Sequence, residues 1–286
     1  MPVTPFELLL PKFMKMYRLT PELALNFYRR IETFLEEPQR ENIYSKLFKV
    51  STSIHKVVIK PIRSVRVVSD IISTFVLNEY VKFPINNEDT QHIRARFFEK
   101  FNFLNVLGCV DGTYISIIQP PEDNPVSPGL VYLNRKGFYS INTQLICDAD
   151  LRILAMNARF PRSTHNSTIW QMSNVRNVSE NTPEGRYTKA HCRTRNTIER
   201  CIGVLKSRFK CLRKHRFFHY DLVAAANIIY SCGVLHNICI DANLDYEGEI
   251  IIEEHEIVND VPDNDLPENL LRIARGIQKN VVQEFI

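Results

Sequence analysis

Residues Arg193 to Lys210 read RTRNTIERCIGVLKSRFK, and the fold turns on how this stretch is read. Ile198, Ile202, Leu205, Phe209 and Leu212 recur at steps of four, three, four and three, the spacing of an amphipathic helix with one buried stripe. Between Arg186 and Arg216 stand eleven Lys or Arg and a single acid, Glu199. That carboxylate has two readings. It forms an i−4 ion pair with Arg195 on a solvated face, or it is a metal ligand held where a nucleic-acid backbone lands among the cations.

Upstream of the helix the pattern is that of strands. NVLGCVDGTYISII, from Asn105 to Ile118, is a run of β-formers with one acid, Asp111, at its middle. A carboxylate in a buried strand is costly unless something pairs with it, and Gly108 and Gly112 leave room for close approach of another backbone or of a ligand. GFYSINTQLICDAD and LRILAMNARF predict two further strands joined by a tight acidic turn at Asp148 to Asp150, which gives an antiparallel meander. PRSTHNSTIW predicts a helix capped by Ser163 or Thr164. Downstream, DLVAAANIIYSCGVLHNICI predicts a buried closing helix from Leu222 to about Ile240.

Residues 1 to 100 read as mostly helical. Pro21 suits the first turn of a helix whose Leu25, Tyr28, Ile31, Phe34 and Leu35 share one side. Ser51 to Ile62 reads either as a structural helical cap or as the second helix of a helix-turn-helix remnant. Val81, Phe83 and Pro84 read as an extended connector into a short basic helix over Thr90 to Lys100. The expected organisation is therefore a helical region over 1–100, a catalytic-type domain over 101–240 and an acidic tail over 241–286.

Composition narrows the class. The 286 residues are 44% hydrophobic and 24% charged, ordinary for a soluble globular chain, and no signal-peptide pattern is read at the N-terminus. Seven cysteines without a CxxC pair fit reduced thiols better than a disulfide framework. Cys211, His215 and His219 fall at i, i+4 and i+8, which on one helix would align three zinc ligands; Cys211 reads equally as a small core residue beside Leu212. From Asp241 onward twelve acids face three bases, so the net charge of +4 divides into +13 on the body and −9 on the tail. A basic body with an acidic tail fits nucleic-acid binding, with the tail able to mask the basic surface.

With these residues in view the chain resembles the Harbinger transposase-derived nuclease family, whose members carry a DDE endonuclease domain on an RNase H-like fold. The motifs that carry the resemblance are GCVDGTYISI at Gly108, YLNRKGFYSINTQLICDAD at Tyr132, ARFPRSTHNSTIW at Ala158, RYTKAHCRTRNTIERCIGVLKSRFKCL at Arg186 and CGVLHNICI at Cys232, in the family order. The resemblance implies an α/β fold, an RNase H-like mixed sheet flanked by helices behind a helical N-terminal region. It also implies a divalent-metal-dependent DNA endonuclease using Mg²⁺ or Mn²⁺, with DNA as partner, a separate DNA-binding partner protein, no membrane and no small-molecule cofactor. The implied location is the nucleus, with the cytoplasm as a second site.

Of the three metal-binding carboxylates that the resemblance implies, the first maps onto Asp111 and the third onto Glu199. The second has no counterpart, because Gln171 to Asn181 contains no aspartate. Tyr114 stands where a His is common and Asn166 where an Asp is common, and the leading helices are shortened. These departures fit a decayed copy or a gene model with skipped exons, and they leave a catalytically inactive DNA-binding or partner-binding remnant as the alternative function. They also predict a sheet one strand short, with no regular order over Ser173 to Glu184. Asp148 and Asp150 are the nearest substitutes, although a hairpin tip places them at a strand end. His191 reads as a phosphate contact or as a cap at the helix start, and Arg193, Arg195, Arg200, Lys206 and Arg208 as backbone contacts that position DNA without reading its sequence.

Overall fold

The structure is a computed structural model that describes residues 10–35, 62–121, 132–134, 137–160, 183–244, 246 and 250. The Ser51 to Pro61 part of the helix-turn-helix segment, the capped helix of Ser163 to Trp170 and nearly all of the acidic tail lie outside the described residues.

The three predicted strands form as read: β1 (Cys109–Ser116), β2 (Ser140–Cys147) and β3 (Ile153–Phe160), an antiparallel meander in the order β1-β2-β3. The β1–β2 register pairs Cys109 with Cys147, Asp111 with Leu145 and Ile115 with Ile141. Gly108 is where β2 comes close: a Cβ there would stand 2.7 Å from Ile146 Cγ2 and 3.3 Å from the Cys147 carbonyl. Beside the other edge of β1, Phe218 makes a parallel bridge to Ile117, its N–H donating to the Ser116 carbonyl and its carbonyl accepting from Ile118.

The N-terminal helices are α1 (Leu10–Tyr17), α2 (Pro21–Glu32), α3 (Ile62–Ile71) continued by a π-turn over Ile72–Val76, α4 (Leu77–Tyr80) and α5 (Asn87–Phe101). Each well-formed start has its chemistry. Thr20 caps α2, with Pro21 as the first helical residue, and Asn86 accepts from the Asp89 N–H at 2.7 Å to open α5. The extended Val81 to Ile85 connector is present, and α5 begins a few residues before Thr90.

After the sheet come α6 (Pro183–Arg208), a 3₁₀ turn over Lys210–Leu212 and α7 (Leu222–Asp241). α6 starts earlier than the apolar period suggested, with Pro183 at its first turn. Pro183 and Glu184 are therefore helical, contrary to expectation, while 173–182 lies outside the described residues. The predicted stripe of Ile198, Ile202, Leu205, Phe209 and Leu212 is buried, the last two just past the helix end. α7 is long and apolar enough to cross a membrane, yet most of it is buried inside the fold. α3, its π-turn and α4 pack on α7, so the helices before residue 101 share one buried cluster with the sheet, from Phe13 through Leu145 to Cys239.

Two polar contacts fix this arrangement. Asn237, fully buried in α7, accepts from the Ile153 N–H at 2.9 Å and donates at 2.8 Å to the carbonyls of Ile153 and Tyr80, joining α7 to β3 and to α4. Asp150, at the β2–β3 turn, takes Arg96 at 2.9 Å and Lys100 from α5, and these cations hold its carboxyl down to about 2. Asn237→Ala orphans an N–H and carbonyls in a dry interior, and is expected to lower unfolding stability by about 3 kcal/mol or more in urea titration. A loss below about 1 kcal/mol would show that the bridge is dispensable.

Candidate metal centre

Asp111 shares its strand face with Cys109, and Cys109 Sγ donates to the Thr194 carbonyl of α6 at 3.0 Å, so that face is the one α6 covers. Five residues on, the Lys206 ammonium donates to the Tyr114 carbonyl at 3.2 Å. α6 is thus tied to β1 at two points, Thr194 to Cys109 and Lys206 to Tyr114. Between those points β1 advances about 17 Å at ~3.4 Å per residue and α6 about 18 Å at ~1.5 Å per residue. The two elements run in step, and interpolation brings Glu199 level with Asp111 to about one helical turn. Glu199 lies seven residues from Lys206, two turns along the same stripe, so it leans toward β1 as Lys206 does.

The two acids are held differently. Asp111 is half-buried, and its Oδ1 accepts from the Gly112 N–H at 2.8 Å. Glu199 is also half-buried, and Arg195 Nε stands 3.8 Å from its Oε1, so the i−4 ion pair is present and long. An ion pair at that separation and partly exposed contributes little, and leaves the carboxylate able to take another partner.

Among the described residues no three His, Cys, Asp or Glu gather into a group that would hold a metal ion. The zinc reading of Cys211, His215 and His219 fails: Cys211 is buried in the 3₁₀ turn with its Sγ 4.0 Å from Cys232 Sγ, while both histidines are exposed beyond the turn. Asp150 is taken by Arg96 and Lys100. Asp148 accepts backbone N–H groups from Asp150 at 2.8 Å and Arg152 at 2.9 Å, and burial pushes its carboxyl up; neither acid stands beside Asp111.

The expected phosphate contacts divide. Arg193 and Arg200 are exposed and Arg195 is half-buried, as a surface role requires. Lys206 and Arg208 are corrected, because they are only 2% and 4% exposed. Lys206 reaches β1, and Arg208 donates to the Leu244 carbonyl at 2.7 Å and the His236 carbonyl at 3.5 Å. In the last two turns the helix is enclosed by β1 and α7, and its cations satisfy carbonyls there. His191 sits well inside α6, which removes the cap reading. It packs between the rings of Phe103 and Tyr187, and burial together with Arg195 lowers its pKa, so it is a weak partner for phosphate at neutral pH. Sequence reasoning missed Asn237 and His236 as structural residues; their signal was two polar side chains inside an otherwise apolar run.

Comparison with known proteins follows the same residues. A family model described as "DDE superfamily endonuclease" matches in two pieces, over 110–185 and 176–237. Similar curated proteins are those called "Putative nuclease HARBI1": 25% identical over 198 residues in Mus musculus and in Homo sapiens, 59% of this chain and 55% of each relative. The Xenopus laevis protein of that name is 27% identical over 203 residues, 60% of this chain and 57% of the relative. The chain spans about half the length of these relatives, and no solved structure matches it. Residues 110–237 are thus similar to the DDE endonuclease superfamily, whose fold is RNase H-like. The chain is related to the Harbinger transposase-derived nucleases. In the mouse comparison, 198 aligned positions take in 59% of 286 residues, or about 169, so about 29 positions of the relative have no counterpart here.

Reversal of charge separates the interior cations from the surface ones. Lys206→Glu is expected to lower stability by about 3–5 kcal/mol, since it buries an anion against a carbonyl. Arg200→Glu should stay within about 0.5 kcal/mol of the parent chain. Equal melting temperatures for the two variants would contradict the burial of Lys206.

Proposed function

We propose that this chain is a transposase-derived nuclease module acting on DNA, with Asp111 and Glu199 as the carboxylates that hold a divalent cation. The observation that carries the reading is the double tie between β1 and α6, which brings two acids level on facing elements. Two hard carboxylates suit Mg²⁺ or Mn²⁺ and not a thiolate-loving ion. Such an ion supplies a water of lowered pKa and stabilises charge on the phosphate oxygens. The chain's own contribution is placement: Asp111 accepts the Gly112 N–H, Glu199 stands in a long ion pair with Arg195, and Arg193 and Arg200 are exposed toward phosphates. Two carboxylates suit one ion held weakly, because the number of charged ligands sets affinity. A nuclease of this type acts in the nucleus, and a separate DNA-binding protein is the natural source of site selection.

A second reading is favoured by specific observations. Gln171 to Asn181 offers no aspartate, the family match breaks into two pieces that meet at 176–185, and the alignment to the relatives leaves about 29 positions unmatched (198 aligned against 59% of 286). On that reading the segment bearing the second acid has been removed and the fold survives as an inactive DNA-binding module.

Plasmid nicking decides between them. The active reading predicts Mg²⁺- or Mn²⁺-dependent conversion of supercoiled to open-circle DNA that Asp111→Ala abolishes. No nicking, or nicking that Asp111→Ala leaves intact, removes the nuclease assignment from these residues.

A further inference from the structure

The cysteines are free thiols, and their contacts divide the buried ones into two kinds. Cys109 Sγ donates to the Thr194 carbonyl at 3.0 Å, Cys201 Sγ to the Leu151 carbonyl at 3.3 Å and Cys239 Sγ to the Arg18 carbonyl at 3.3 Å. Cys211 and Cys232 instead meet sulfur to sulfur, 4.0 Å apart and 21 residues distant in the chain. The hydrogen bond with Cys211, together with burial, pushes the Cys232 thiol up.

Both backbones that carry this pair are held in place. Cys211 lies in the 3₁₀ turn over Lys210–Leu212, where the Leu212 N–H donates to the Phe209 carbonyl at 2.9 Å, the Arg213 N–H to the Lys210 carbonyl at 3.3 Å and Arg213 Nε to the Lys206 carbonyl at 3.3 Å. Cys232 lies in α7, which Asn237 ties to Ile153 five residues further on. Beside it a Cβ on Gly233 would stand 2.5 Å from Met156 Sδ, so α7 sits tightly on β3 at this level. A disulfide needs its sulfurs at about 2.05 Å, so about 2 Å remains to be closed, a movement that side-chain rotation supplies without displacing either element. The bond would reinforce a junction the fold already makes, since Arg208, just before the turn, reaches the His236 carbonyl of α7.

We infer that Cys211 and Cys232 are a disulfide-forming pair, closed by a small-molecule disulfide such as glutathione disulfide, which locks the end of α6 onto α7. The Cys211 thiolate attacks one sulfur of glutathione disulfide and expels a glutathione thiolate, leaving a mixed disulfide on Cys211. The Cys232 thiolate then attacks the Cys211 sulfur and expels the second glutathione. Two protein thiols lose two electrons, glutathione disulfide gains them, and the two protons pass to the departing thiolates. Cys211 reacts first because its turn borders the exposed Lys210, whereas Cys232 lies within the helix. The pair stands whether or not the chain cuts DNA.

Peptide mapping of the full chain tests it, after equilibration with glutathione disulfide, alkylation of the remaining thiols under denaturing conditions and digestion without reductant. The exposed Cys192 serves as the control for exposure to oxidant, since it should carry a mixed disulfide. The expected result is one linked peptide joining Cys211 to Cys232, two hydrogens lighter than the sum of its parts and released by dithiothreitol. Oxidation should raise the melting temperature of the parent chain by about 5–10 °C, from the closed loop of some two dozen residues. Cys211→Ala and Cys232→Ala should each abolish that rise, read as the difference between oxidised and reduced samples of the same variant. Recovery of both cysteines in alkylated form while Cys192 is modified overturns the inference. So does a link from either of them to another cysteine, Cys147 or Cys201 included.

Discussion

A lysine ammonium buried to 2% exposure and bonded to the Tyr114 carbonyl sets the position of α6 on the sheet. Bringing such a charge out of water costs several kcal/mol unless it is well placed, so the helix has little freedom to slide or rotate about that contact. With the Cys109–Thr194 bond as the second fixed point, the register of helix against strand follows, and interpolation between the two points sets Glu199 level with Asp111. The candidate site is thus a consequence of a structural lysine two turns away from it. Arg208 acts in the same manner at the helix end, where its guanidinium closes off the carbonyls of Leu244 and His236.

The rest of the core is arranged to keep that pair of elements in place. α7 underlies β3 through Asn237, which reads both backbone groups of Ile153, and reaches α4 through the Tyr80 carbonyl. α5 is held to the β2–β3 turn by Arg96 and Lys100 on Asp150. The helices before residue 101 bury their apolar faces in the same cluster as the sheet, so they brace the nuclease-like region from behind. Asp111 and Glu199, the residues expected as the first and third acids, sit on β1 and α6. The stretch where the second was expected lies outside the described residues, where the family match also divides.

Much of this was legible in the residues because it depends on local pattern. Alternation around Asp111 marked β1, the acidic Asp148 to Asp150 marked the hairpin, and the four-three spacing from Ile198 to Leu212 marked the buried stripe of α6. What was not legible depends on what lies across the helix. Arg200 and Lys206 look alike in sequence, yet one is exposed and the other buried, and only the packing of β1 distinguishes them. The start of α6 at Pro183 was hidden because a polar first turn carries no hydrophobic period. His191 was open to two readings for the same reason: its aromatic neighbour Phe103 is remote in sequence.

The central claim is that Asp111 and Glu199 form one cation site, and Mn²⁺ binding followed by the loss of the free-ion electron paramagnetic resonance signal tests it without requiring catalysis. The account predicts one weak site, with a Kd of about 10⁻⁴–10⁻³ M given so few charged ligands, lost in Asp111→Ala and equally in Glu199→Ala. The double variant should then bind no worse than either single one, because each substitution alone removes the shared site. Binding that survives in one of the single variants, or losses that simply add in the double variant, would show that the two carboxylates do not act on a common ion.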